Sequence, residues 1–258
     1  MILAVDIGNT NITLGGYEQG KLGFSTRLAT DLKLEPDQYA LQLQGILSLY
    51  RVAPGAIEGI VLSSVVPQVT DTVAVALSRF AAVEPLCLSQ QLPTGVEVCI
   101  DSPAELGNDL LAGAVAALRY PLPAVVLDLG TATKLTAVDE TGRVQGVSIL
   151  PGVFLSLEAL VSGASQLGGL ALGAPGRAIG KNTAESMRSG VILGTASLLD
   201  GMLDRFEAEL GPVKTVLATG GAAGLIVPSC RRKIVLAPTL LLDGLYDVYC
   251  RAKEKGLA

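Results

Sequence analysis

The sequence has no histidine. Proton transfer in any reaction it performs therefore falls to a carboxylate, Lys, Tyr or Cys, and Ser-His-Asp or Cys-His catalysis is excluded. Cysteines are few: Cys87, Cys99, Cys230 and Cys250 lie far apart in no metal-ligand spacing, which suits reduced thiols packed as small hydrophobes. No zinc site is expected from them. Positive charge is sparse too, with a formal net charge of -5 and one basic cluster, Arg231, Arg232 and Lys233, short enough for an ordinary solvated loop or helix end. Nucleic acid is not an expected partner. Long hydrophobic runs are missing as well. Apolar stretches are strand length and are cut by Asp, Gly or Pro, and Asp6 interrupts the first of them too early for a signal peptide. The expectation is a soluble, cytosolic protein with no membrane partner.

What is present is core-forming material. The 258 residues are 50% hydrophobic, enough for one large domain or two of ordinary size. The chain also repeats itself. Sliding it along itself by about 122 positions sets AVDIGNTNITLGGYEQGKL over VVLDLGTATKLTAVDETGRV. Without a gap, Asp6 falls on Asp128, Gly8 on Gly130, Glu18 on Glu140, Gly20 on Gly142 and Lys21 on Arg143. Each copy reads as strand, tight turn, strand, second turn, strand. Behind the first come a helical stretch from Asp37 to Tyr50, a strand AIEGIVLSSV, a helix from Gln68 to Phe80 and a strand around Pro85 to Leu88. Behind the second come a helix opening near Gly152, a long helix from Ala184 to about Leu210, the strand VKTVLATGG and a C-terminal helix from Leu240. The reading is α/β, duplicated, with domains over 1–118 and 119–258 facing each other across a cleft.

Asp-x-Gly alone is a good turn. Its duplication points further, because backbone N–H groups of Gly-containing turns cradle phosphate oxygens, and facing aspartates hold the cations that accompany a polyphosphate. GRAIGKNT matches a P-loop in neither spacing nor the residue after Lys, and is taken as chance.

In these motifs the sequence resembles type III pantothenate kinases, members of the actin, Hsp70 and acetate/sugar kinase superfamily. The likeness runs through DIGNT, LSSVVP, SPAELGND, DLGTAT, ILPGV, IGKNTAESMRSG, ATGG and LLLDGLYDVY, in order along nearly the whole chain. The resemblance implies duplicated actin-like (ribonuclease H-like) domains, a homodimer, and transfer of the ATP γ-phosphoryl group to pantothenate at the start of coenzyme A synthesis. It implies Mg2+ with ATP, and a monovalent cation, K+ or NH4+. By the same resemblance Asp109 is the catalytic base, within a substrate-binding stretch of Gly107, Asn108, Asp109 and Leu110, and Thr183 is a further pantothenate contact. Asp6, Gly8, Asn9, Thr10, Asn11 and Thr13 bind phosphate, Asp6 also taking Mg2+. Thr131 is a second phosphate contact, Thr219, Gly220 and Gly221 meet the nucleoside, and Asp128 holds the monovalent cation. Taken without the family, Asp109 reads as a solvated residue of a helix started by Ser102, Pro103 and Glu105.

Departures from the family pattern cluster on the pantothenate side. Leu110 stands where the family has an Arg for the substrate carboxylate, Ile100 where it has a Tyr, and Ser102 where it has an Asn. Losing one charge-assisted hydrogen bond costs about 1.5–3 kcal/mol, and stranding a buried carboxylate about 3–5 kcal/mol. Affinity for pantothenate then falls by about one to three orders of magnitude. Two other readings therefore stand beside the kinase: a nucleotide-binding homologue with a regulatory role, and a kinase for a different hydroxyl substrate. Arg177, Lys181 and Arg188 are candidates to replace the missing Arg. Lys134, where the family has Thr, reads as a solvent-facing strand residue, a new phosphate contact, or an ammonium replacing the monovalent cation near Asp128.

Overall fold

The protein is described from a computed structural model, over residues 1–163 and 171–258. In chain order the first elements are β1 (Ile2–Ile7), β2 (Asn11–Glu18), β3 (Lys21–Ala29), α1 (Pro36–Leu49), β4 (Gly59–Ser64), α2 (Pro67–Ala81), β5 (Leu86–Cys87) and α3 (Asn108–Ala117). Then follow β6 (Ala124–Leu129), β7 (Ala132–Val138), β8 (Val144–Pro151), α4 (Val153–Gly163), α5 (Thr183–Leu210), β9 (Thr215–Thr219), α6 (Ala223–Ile226), β10 (Val235–Leu236) and α7 (Leu240–Glu254).

The duplication is topological as well as sequential. One five-stranded sheet has the order β3-β2-β1-β4-β5, and the other, counted from the matching edge, β8-β7-β6-β9-β10. In each, the three strands of the repeat form an antiparallel meander, and the strands that follow add in parallel beside the first. This is the duplicated actin-like arrangement. The central strands explain their own apolar runs: all six residues of β6 are buried, as a strand covered on both faces requires. Edge strand β3 instead alternates exposed and partly buried positions along most of its length.

Each unit has its own core. In the first, Leu3, Val5 and Ile7 of β1 pack with Tyr39, Leu43 and Leu47 of α1 and Val69, Val73 and Leu77 of α2. In the second, Val125, Leu127 and Leu129 of β6 pack with Ile192, Leu199 and Leu203 of α5. Strand alternation therefore turns Asp6 and Asp128 to the opposite face of their sheets, clear of these cores.

The compact units are Met1–Val96 with Ser102–Ala116 and Thr239–Ala258, and Glu97–Asp101 with Ala117–Pro238. A single cut between residues 118 and 119 therefore misplaces the last helix. Small residues give α7 its seat in the first unit: a Cβ on Gly59 would lie 1.9 Å from the Tyr249 hydroxyl, one on Gly15 2.8 Å from Leu242, and one on Gly244 1.9 Å from the Ala112 carbonyl oxygen.

Candidate active site

The first site turn spans residues 8–11 between β1 and β2. Its Gly8 N–H donates to the Asn11 carbonyl at 3.0 Å, and a Cβ on Gly8 would crowd that oxygen at 3.1 Å. The end of β3 fixes the turn from outside, as Thr30 donates its hydroxyl to Gly8 O at 2.7 Å and its N–H to Thr10 O at 3.0 Å. Asn9, Thr10 and Asn11 are exposed on this anchored frame. Asp6 pairs in register with Thr13 on one side and Ser63 on the other. Ser63 is fully buried, and its Oγ has no hydrogen-bond partner among the described residues. Ser63 falls within LSSVVP, a stretch to which the resemblance attaches no site role, and a Ser inside the apolar run GIVLSS is the signal the sequence offers for it. The hard carboxylate oxygens of Asp6, beside a turn with no Cβ at Gly8, fit Mg2+ carried by a phosphate.

Asp109 lies in the same unit. Pro103–Glu105 makes one isolated 3-10 turn without a side-chain cap from Ser102, and Leu106 is extended at φ -67, ψ 116. The helix begins again at Asn108, so the expected helix start at Ser102 is corrected: extended Leu106 separates the two. This restart buries Asp109, 8% exposed, in the first turn of α3, where Leu110 N–H donates to its Oδ1 at 2.8 Å. A carboxylate is stabilised there by the helix dipole. Gly107 makes room for it, since a Cβ at that position would meet Asp109 Oδ1 at 2.8 Å and Val65 Cγ1 at 3.8 Å. Val65, just after β4, in turn donates its N–H to Ile7 O at 3.1 Å, so the residue beside Gly107 is tied to the end of β1 that carries Asp6. The reading of Asp109 as a solvated helix residue therefore fails.

The second unit holds the other group. Asp128 pairs with Lys134 on β7 and with Thr219 on β9. The ungapped repeat sets Thr13 over Leu135, but the structure gives Lys134 the position of Thr13. Ile7 and Ile12 close the first turn around residues 8–11, whereas Leu129 and Thr133 close the second around 130–132, one residue fewer. The residue returns at the next turn: Glu18 pairs with Lys21, whereas Asp139 N–H donates to the Arg143 carbonyl over a loop longer by one. Two compensating changes kept Gly20 over Gly142 while shifting everything between.

Lys134 Nζ lies 3.0 Å from Asp128 Oδ2, with the two side chains 18% and 13% exposed. A free monovalent cation at that oxygen would meet the ammonium as a like charge, so these residues do not fit the ion expected at Asp128. The solvent-facing reading of Lys134 fails with it. Thr131 is exposed on its turn, which Gly152 braces by donating its N–H to Thr131 O at 3.1 Å. Gly220 has a φ of +91, and a Cβ there would lie 2.5 Å from the backbone of Leu129, so only glycine fits the turn after β9. Gly221 beside it is exposed.

Thr183 stands exposed at the start of α5, after Asn182, whose side chain caps the helix by accepting the Glu185 N–H at 2.9 Å. Arg177 and Arg188, with Glu185, line a cavity of about 160 Å³ in this unit; Arg177 lies 3.8 Å from Glu185, and Arg188 donates to the Ala171 carbonyl. Lys181 is exposed. Ile100 belongs to this unit and Leu110 to the first. Among the described residues no cluster of three or more His, Cys, Asp or Glu is arranged to hold a metal ion.

The model of the type III pantothenate kinase family matches residues 2–205. A type III pantothenate kinase of Roseiflexus castenholzii is 39% identical over 250 residues, covering 96% of this chain and 98% of the relative. Another, of Thermomicrobium roseum, is 39% identical over 252 residues, covering 97% of each. Among solved structures, the activator of the 2-hydroxyisocaproyl-CoA dehydratase from Clostridium difficile with bound ADPNP is similar at a TM-score of 0.60 and 12% identity, over 100% of this chain and 97% of that one, a likeness of fold. Because the sequence match extends through both repeats and nearly to the end of each relative, the chain belongs to the type III pantothenate kinase family.

Proposed function

We propose that this protein transfers the γ-phosphoryl group of ATP to the primary hydroxyl of pantothenate, giving 4'-phosphopantothenate for coenzyme A synthesis. The observation that carries the reading is the buried carboxylate of Asp109, held at the start of α3 in a chain without histidine. Phosphoryl transfer asks a protein mainly to position groups and stabilise charge. Asp109 orients the pantothenate hydroxyl and accepts its proton, with Gly107, Asn108 and Leu110 shaping the substrate side and Thr183 as a second contact. The turn 8–11, Thr13 and Thr131 receive the phosphates, and Thr219, Gly220 and Gly221 the nucleoside. Asp6 holds Mg2+, which neutralises phosphate charge when bound.

Exposed Ile149, Phe154, Leu155 and Leu160 on β8 and α4 support a homodimer, which light scattering on the purified protein tests. No described helix is long and apolar enough to cross a membrane. A cytoplasmic location is inferred from the substrates, and the net charge of -5 argues against a nucleic-acid partner.

The test is ADP release from ATP and Mg2+ with and without pantothenate. ADP that forms only with pantothenate is expected, at a high half-saturating concentration because Leu110 replaces the carboxylate-binding Arg. ADP release indifferent to pantothenate would overturn the reading, and turnover confined to an uncharged pantothenate amide would favour a different hydroxyl substrate.

A further inference from the structure

The short turn between β6 and β7 has a chemical consequence. Had residues 130–132 been one longer, as in the first repeat, Leu135 rather than Lys134 would occupy the register position beside Asp128. Instead an ammonium stands directly across an antiparallel pair from a buried carboxylate, and its Nζ reaches Asp128 Oδ2 at 3.0 Å. Directly opposed side chains on a sheet are close neighbours, so the strand itself aims this contact. The lysine head group is chemically a tethered ammonium ion.

We propose that Lys134 is a built-in cation for the nucleotide site, replacing a free monovalent ion beside Asp128, so that nucleotide binding by this protein does not require K+. The proposal rests on the kinase reading above. Electrostatics gives the reason a cation is wanted here. Asp128 lies at the mouth of the turn that carries Thr131, and an uncompensated carboxylate there would repel a polyphosphate. At the low effective dielectric of a largely buried pair this repulsion is much stronger than in water. Lys134 cancels it without an ion having to bind. A second, mobile cation brought to the same oxygen would be repelled by the ammonium already there. The one-residue deletion and the lysine thus act together: either one alone leaves Asp128 without this partner.

The experiment is isothermal titration of the purified full-length protein with ATP and Mg2+, in K+ buffer and in a buffer where a bulky quaternary ammonium salt replaces K+ at equal ionic strength. Lys134→Thr is run in parallel, with thermal melting in both buffers as a second readout. For the unmodified protein the ATP dissociation constant is expected to agree within about twofold between buffers. In Lys134→Thr, affinity falls tenfold or more without K+, and K+ or NH4+ restores both affinity and melting temperature. A tenfold loss for the unmodified protein on removal of K+ overturns the proposal while leaving the kinase reading intact, and this arm needs no variant to fold. A loss in Lys134→Thr that neither ion rescues also overturns it, assigning Lys134 to direct phosphate contact. No change in Lys134→Thr in either buffer overturns it as well. Absence of ATP binding in every buffer overturns the kinase reading itself, and this inference with it.

Discussion

Gly152→Ala tests whether the turn at residues 130–132, proposed above to receive phosphate, is held as the structure indicates. A Cβ at residue 152 would lie 2.2 Å from Thr131 O and 2.5 Å from Gly130 O, both backbone atoms. Non-bonded heavy atoms settle at about 3.5–4.0 Å, so the turn or the start of α4 has to move by roughly 1 Å. The displaced atoms belong to the turn that presents Thr131, and the move also strains the Gly152 N–H bond to Thr131 O. Overpacking of this kind costs about 1–3 kcal/mol, and a chain of this size loses about 2–4 °C of Tm per kcal/mol. Calorimetry should show Tm lowered by about 2–12 °C, and titration should show ATP affinity weakened about tenfold, or 1.4 kcal/mol. Gly190→Ala is the control. That glycine is exposed inside α5 with nothing within 4 Å of an added Cβ, so alanine there should stabilise by about 0.5–1 kcal/mol. Unchanged Tm and unchanged ATP affinity in Gly152→Ala would refute the reasoning, because the turn would then tolerate a contact that no rigid backbone accepts.

Asp139→Asn should cost stability in a pH-dependent way. Burial works to raise this carboxyl, but hydrogen bonds from the Arg143 backbone, the Thr141 side chain and backbone, and the Gln145 side chain outweigh it and hold the group well below the usual carboxylate range. A folded-state pKa below the unfolded one contributes stability above the unfolded value, about 3.9, that is lost as pH falls toward the folded value. The melting difference between the unmodified protein and the variant should therefore be full at neutral pH and shrink below about pH 4; a difference that grows in acid would contradict it. Asp200→Ala removes a buried acceptor for the Arg231 and Arg232 N–H groups, and chemical denaturation should show a loss of about 1.5–3 kcal/mol. Burial, with Asp200 nearby, pushes the Cys230 thiol up to about 11, so alkylation at pH 8 should reach exposed Cys99 well before Cys230; equal labelling would count against that burial.

The duplication was legible because both repeats keep Asp-x-Gly on a central strand, where covering on both faces forces a continuous apolar run around one conspicuous carboxylate. Helix α5 was legible for a local reason, Asn182 capping a long run that ends at Gly211. The facing of Lys134 was not legible. Ungapped comparison is blind to a residue lost in one turn and regained in the next, and pairing partners on a sheet depend on turn length rather than on sequence position. Nor did the sequence signal the return of α7 to the first unit, which depends on Gly15 making room for Leu242, Gly59 for Tyr249 and Gly244 for the Ala112 backbone across long separations. At Asp109 the local pattern misled: Ser102, Pro103 and Glu105 look like a helix start, yet extended Leu106 ends the turn and lets α3 begin where the carboxylate becomes buried. The Arg231–Lys233 cluster is only partly the solvated loop its composition suggests, since Arg232 pairs with Asp204 and Glu207.

The most direct test of the central claim is mass-spectrometric detection of phosphopantothenate after incubation with ATP and Mg2+, over a wide range of pantothenate, with Asp109→Asn beside the unmodified protein. Product is expected from the unmodified protein, at least a hundredfold less from the variant, and equal ATP binding by both. General-base groups contribute about 10²–10⁴-fold. No product at any pantothenate concentration from protein that binds ATP, or undiminished product from Asp109→Asn, would contradict it.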